Sequence, residues 1–68
     1  MTMRIQVNGK PREVAAGITV RQLLEELRIP PQRVAVQLNL DIVKRERYER
    51  AVLGPGDRIE ILTLMAGG

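Results

Sequence analysis

Residues 3–28 read MRIQVNGKPREVAAGITVRQLLEELR, and this stretch decides the fold. From Met3 to Val7 apolar and polar side chains alternate, the period of a half-buried strand. Asn8-Gly9 follows, a pair suited to a two-residue hairpin turn in which both residues take positive φ. Lys10 to Val14 is then the returning strand. Pro11 lacks an N–H, which suits an edge or strand-start position. Ala15-Ala16-Gly17 breaks the strand, and the period changes. Val20, Leu23, Leu24 and Leu27 form one apolar stripe at helical spacing. Thr19 is the expected N-cap, Gln22 completes a capping box, and Ile18 and Leu23 occupy the staple positions. Arg21, Gln22, Glu25 and Arg28 lie off the stripe, with Glu25 spaced to pair with Arg21 or Arg28. Pro30-Pro31 is expected to stop the helix and force an extended exit.

Beyond the prolines, Val34, Val36 and Leu38 alternate with Ala35 and Gln37 in a third strand. Asn39-Leu40-Asp41 reads as a turn and Ile42-Val43 as a short fourth strand. Arg45 to Val52 is mostly polar, with Tyr48, and reads as a turn or one loose helical turn. Gly54-Pro55-Gly56-Asp57 is a loop, and Arg58 to Met65 is the last strand. This order predicts an α+β fold, a mixed sheet of four to five strands with one main helix on one face. It is the β-grasp arrangement, with the first and last strands side by side through a right-handed connection. Residues 1–66 are expected to form the domain and residues 67–68 a flexible C-terminal diglycine tail.

Composition narrows the function. A chain of 68 residues forms one domain with a thin core, burying roughly 60% of the unfolded surface and stable by about 3–5 kcal/mol. Little room is left for an internal pocket, so chemistry is expected at the surface or a terminus. The sequence has no Cys, His, Ser, Trp or Phe. The common nucleophiles are therefore missing, as is the side chain that most readily moves protons near neutral pH. Zinc sites built on His or Cys are excluded, and the acids are too dispersed for an all-oxygen metal site. Tyr48, Asp41 and Lys44 do not assemble a nucleophile with an oriented base. The net charge is +3. The basic run from Lys44 to Arg50 is interrupted by Glu46 and Glu49, which reads as a solvated turn with local ion pairs rather than a nucleic-acid footprint. The N-terminus has no apolar leader, and no apolar run approaches the ~18 residues of a membrane span. A cytoplasmic location without membrane partners is expected.

The last strand and its continuation carry the sharpest signal. Ile59, Ile61 and Thr63 should face the helix, leaving Arg58, Glu60, Leu62 and Leu64 on the other face. Leu62 and Leu64, with Ala35 and Gln37 of the neighbouring strand and Met65 beyond, form a candidate docking patch. Ala66-Gly67-Gly68 follows. Without Cβ atoms, the two glycines can enter a narrow channel. From Met65 onward an extended tail spans about 13 Å, enough to place the Gly68 carboxylate inside a partner's active site. A carboxylate is a poor electrophile until ATP converts it to an acyl-adenylate. Sulfur attack then gives a thiocarboxylate and amine attack an amide. The chemistry lies in the partner.

With these residues quoted, the chain resembles the ThiS sulfur carriers of thiamine biosynthesis, within the ubiquitin-like β-grasp group. The resemblance rests on Val7-Asn8-Gly9-Lys10, Gly17-Ile18-Thr19-Val20 with Leu23-Leu24, Val34 to Asn39, Ile42-Val43, Gly56 to Ile61 and Ala66-Gly67-Gly68. One departure is Lys44, where many relatives have Pro after Ile-Val. The resemblance implies that a ThiF-like E1 enzyme adenylates Gly68 using ATP and Mg, and that the carrier itself holds no cofactor. It further implies that a donor fed by a cysteine desulfurase supplies sulfur, and that a ThiG-like thiazole synthase receives it. The carrier is then a co-substrate, not an enzyme. Two other readings share parts of the pattern. A MoaD-like carrier or other ubiquitin-like modifier would use the same tail. A TGS-like RNA-associated module shares the Val-Asn-Gly opening and the Gly-Asp-x-Ile-Glu-Ile strand, and would suit a pI near 10.2.

Overall fold

The computed structural model describes residues 1–64. Its strands are β1 (Thr2–Val7), β2 (Lys10–Ala15), β3 (Val34–Leu38), β4 (Asp41–Val43) and β5 (Arg58–Thr63), with one helix, α1 (Val20–Glu26). Single 3-10 turns lie at Pro31–Arg33 and Arg45–Arg47. The sheet order is β2-β1-β5-β3-β4. β1 and β5 run parallel, and every other neighbouring pair is antiparallel. The mixed sheet with first and last strands adjacent agrees with the pattern read from the sequence.

The hairpin follows its turn chemistry. Asn8 and Gly9 take φ of 52° and 80°, the doubly left-handed geometry whose twist matches the strands. Val7 closes the turn opposite Lys10, so Gln6 and Pro11 form the next pair. Pairs alternate in hydrogen bonding along an antiparallel ladder, which turns Pro11's missing donor toward the open edge. The β3–β4 turn is a second left-handed pair, Asn39 (φ 51°) and Leu40 (φ 76°). Asp41 already belongs to β4, so this turn is one residue shorter than its composition suggested.

α1 begins as its sequence dictates. The Thr19 hydroxyl accepts from the Gln22 N–H at 3.1 Å, and the Gln22 side chain accepts from the Thr19 N–H at 2.9 Å. The remaining first-turn donors find long-range acceptors: Val20 N–H donates to Ala51 O (2.9 Å) and Arg21 N–H to Tyr48 O (3.0 Å). The loop 44–53 thus completes the helix cap. The helix ends before the prolines are reached. Arg28 adopts φ 58°, donates to Glu25 O at 3.1 Å, and Ile29 donates to Leu24 O at 2.9 Å. This is a Schellman closure with Arg in the place usually held by Gly. Pro30-Pro31 therefore bar any resumption of the helix but do not stop it.

The core lies between α1 and one sheet face, with Ile5, Val20, Leu23, Leu24, Val36 and Ile59 fully buried. Tyr48 and Leu53 also belong to it. The segment 45–52, read as polar, therefore supplies a core aromatic, because its backbone is tied to the start of α1. The charged residues of this segment also differ from expectation. Glu49 pairs across to Arg21 at 2.7 Å, and Arg21 reaches Glu25 at 3.8 Å, so these contacts run to the helix rather than along the turn. All are exposed and add little stability.

Candidate functional site

The candidate site is the outer sheet face at the end where β5 runs out. Its geometry begins with strand alternation. Ile59 and Ile61 point into the core, while Arg58, Glu60 and Leu62 point outward, as the sequence predicted. Thr63 shares the side of Ile59 and Ile61 but is exposed at the sheet margin. In the β3–β5 register Ala35 stands opposite Leu62 and Gln37 opposite Glu60. Leu62 is 47% exposed and Leu64 51%, and by register Leu62, Ala35 and Gln37 lie on the outer face. Leu64 lies just past β5, which ends at Thr63 rather than Met65, and its N–H donates to Arg33 O at 2.8 Å. Met65, Ala66, Gly67 and Gly68 lie outside the described residues.

The fold adds a residue that the strand reading had not connected to this face. Ile42 on β4 is opposite Gln37 and 71% exposed, which places it two strands, or roughly 10 Å, from the row of Leu62. Leu62, Ala35 and Ile42 give an apolar band crossed by Gln37 and edged by Glu60. Ile42 had been legible as a strand residue, but its face depends on the turn length, since one residue more would reverse it.

The other face has a different character. A cleft of about 480 Å³ runs beside the C-terminal end of α1, lined by Leu27, Ile29, Pro30, Val34 and Ile61 with Lys10 and Arg33. It is a surface feature, consistent with a core too thin to enclose a substrate. The Tyr48 phenol has a displaced proton affinity. Desolvation raises its pKa above the ordinary 10.0, opposed by the nearby Arg45 charge and the Val36 backbone. It therefore stays a neutral phenol at physiological pH. Among the described residues there is no cluster of three or more metal-ligating side chains, and no helix is long and apolar enough to cross a membrane.

A five-stranded mixed sheet over one helix, with parallel first and last strands, defines a ubiquitin-like β-grasp domain. The ThiS family model matches residues 5–68, and the chain belongs to that family. It is 36% identical to the sulfur carrier protein ThiS of Escherichia coli, over 97% of this chain and 100% of the relative. It is 38% identical to a thiazole synthase of Paramagnetospirillum magneticum over 97% of this chain, of which it spans only 20%. A crystal structure of a thiamine biosynthesis protein (ThiS) from Geobacter metallireducens superposes with a TM-score of 0.85 at 36% identity, covering 97% of this chain and 100% of that one.

Proposed function

We propose that the chain is a sulfur carrier for the thiazole ring of thiamine, with the Gly68 carboxylate as its working group. The observation that carries this reading is the family match, which runs through residue 68. The Escherichia coli sulfur carrier adds support, because it aligns over its whole length.

In this reading the Gly68 carboxylate attacks the α-phosphorus of ATP on an E1-like enzyme, with Mg, and pyrophosphate leaves. The terminal sulfur of a persulfide on a cysteine-desulfurase-fed donor attacks the acyl carbon, and AMP leaves. A second thiol then cleaves the S–S bond of the resulting acyl disulfide, releasing the thiocarboxylate and leaving a disulfide on the donor side. The thiocarboxylate then passes its sulfur to a thiazole synthase. That acceptor is favoured because a stretch one-fifth the length of a thiazole synthase resembles this chain. Gly67 and Ala66 form the reach of the tail. Leu62, Leu64, Ala35 and Gln37, with Met65, form the docking surface. The domain contributes an address and a handle, and its partners contribute the catalysis.

The test is intact mass after co-expression with the cognate activating enzyme. A gain equal to replacing one oxygen by sulfur, absent when Gly68 is deleted, is the expected result. An unchanged mass together with no ATP–pyrophosphate exchange would refute the reading.

A further inference from the structure

The β1–β5 ladder does not end where the β1 backbone ends. Gln6 N–H donates to Asp57 O and Asn8 N–H to Ile59 O, each at 2.9 Å. The next step of a parallel ladder would use the Asn8 main-chain carbonyl for Ile61 N–H, but Asn8 has turned into the hairpin at φ 52°. Its side chain takes over. Ile61 N–H donates to Asn8 Oδ1 at 2.7 Å, and Asn8 Nδ2 donates to Ile61 O at 3.3 Å. One carboxamide supplies the acceptor and the donor that a strand residue would have supplied, across 53 positions of sequence. Among the described residues, the hydrogen bonding beyond Ile61 lies on the β3 side: Leu62 pairs with Ala35, and Leu64 N–H reaches Arg33 O. Among the described residues, Asn8 is thus the last grip on β5 from the β1 side.

We propose that Asn8 is a positioning residue for the carrier reaction: its carboxamide clamps Ile61 and so fixes the direction of the end of β5, at Thr63, toward a partner's active site. The inference rests on the sulfur-carrier reading for its chemical consequence, but not for the clamp itself. Asn8 would then have two separable duties. Its left-handed backbone makes the turn, which Gly performs equally well. Its carboxamide makes the clamp, which Gly cannot.

Asn8→Gly separates the two. With the cognate activating enzyme, ATP–pyrophosphate exchange should show kcat reduced about 3–10-fold, the range expected for losing one or two modest hydrogen bonds, while KM for the carrier stays within about twofold. KM should hold because the outer face at Leu62 and Ala35 is untouched. Asn8→Asp keeps the acceptor for Ile61 N–H but loses the donor at neutral pH, and should fall between. Val43→Ala loosens the core on β4, two strands from β5 and without contact to the Asn8 carboxamide, and should leave kcat unchanged at a temperature where it is folded. Amide hydrogen exchange is the independent arm: Ile61 in Asn8→Gly should exchange at least about tenfold faster while Val36 and Leu24 keep their protection. A wild-type kcat, a rise in KM alone, or the same kcat loss in Val43→Ala overturns the proposal. Unchanged Ile61 exchange overturns the clamp even if the wild-type chain is never adenylated, an outcome that by itself sinks the carrier reading.

Discussion

Ile59 and Leu62 sit three residues apart on β5 and point to opposite sides of the sheet, so one substitution at each measures the assignment of faces. Ile59 is 1% exposed and Leu62 47%. For Ile59→Glu, the lost burial of the isoleucine costs about 1.5–3 kcal/mol. Holding the new carboxyl neutral at pH 7 costs roughly 3.7 kcal/mol more, from 1.36 kcal/mol per unit between pH 7 and a reference pKa near 4.3. The total of about 5–7 kcal/mol exceeds the ~3–5 kcal/mol that a core of this size supplies. Ile59→Glu should therefore be largely unfolded at pH 7 and 25 °C. Its carboxyl would have a folded pKa raised above the unfolded one, so the folded state is favoured below the unfolded pKa and weakens as pH rises. Helical and strand signal should accordingly recover as pH is lowered toward 4. Leu62→Glu changes a half-exposed site by about 0.5 kcal/mol or less, a shift in Tm of under roughly 4 °C. Circular dichroism melts at pH 4.5 and pH 7 decide the matter. A cooperative melt of Ile59→Glu at pH 7 within a few degrees of wild type would refute the core assignment, as would an unfolded Leu62→Glu.

Other expectations follow from single contacts. Thr19→Ala removes the hydroxyl half of the capping box and should cost about 1 kcal/mol, lowering Tm by roughly 4–8 °C in a thermal melt. Arg28→Gly relieves the left-handed backbone at φ 58° and should stabilise by up to about 1 kcal/mol, visible as a raised denaturation midpoint at unchanged slope. Tyr48 is the chain's one tyrosine, so absorbance of the phenolate reports it alone. Its midpoint in the folded protein should lie above 10.0, and higher still in Arg45→Gln, because Arg45 opposes the desolvation. Since the folded pKa is the higher one, this contribution to stability is intact below pH 10 and is lost as pH rises past it, a slope that Tyr48→Phe should remove. Leu62→Glu, folded, should bind the activating enzyme more weakly than wild type, and an unchanged KM in pyrophosphate exchange would dismiss the outer face as the docking surface.

Much of this protein is determined by its sequence through short-range chemistry. Asn8-Gly9 specifies a turn because two consecutive positive φ values are costly for most other residues, and that turn sets the β1–β2 register. Thr19 and Gln22 specify the start of α1 because both halves of the capping box lie within one helical turn. Alternation alone separates Ile59 and Ile61 from Leu62, because successive side chains of a strand leave on opposite sides. The family resemblance, too, was carried by residues quoted from the chain, since its marks are local strings along nearly the whole length. The tertiary structure decided what depends on partners distant in sequence. Tyr48 and Leu53 are core residues because the backbone of their loop caps α1, a fact with no periodic trace in an aperiodic segment. The end of α1 at Arg28 was hidden because a Schellman closure on arginine carries no glycine to announce it. Ile42 joined the outer face only once the β3–β4 turn was seen to hold two residues. Asn8 looked like a turn residue and nothing more, because its second duty is a pair of hydrogen bonds to Ile61, a strand that the chain does not reach until 53 residues later.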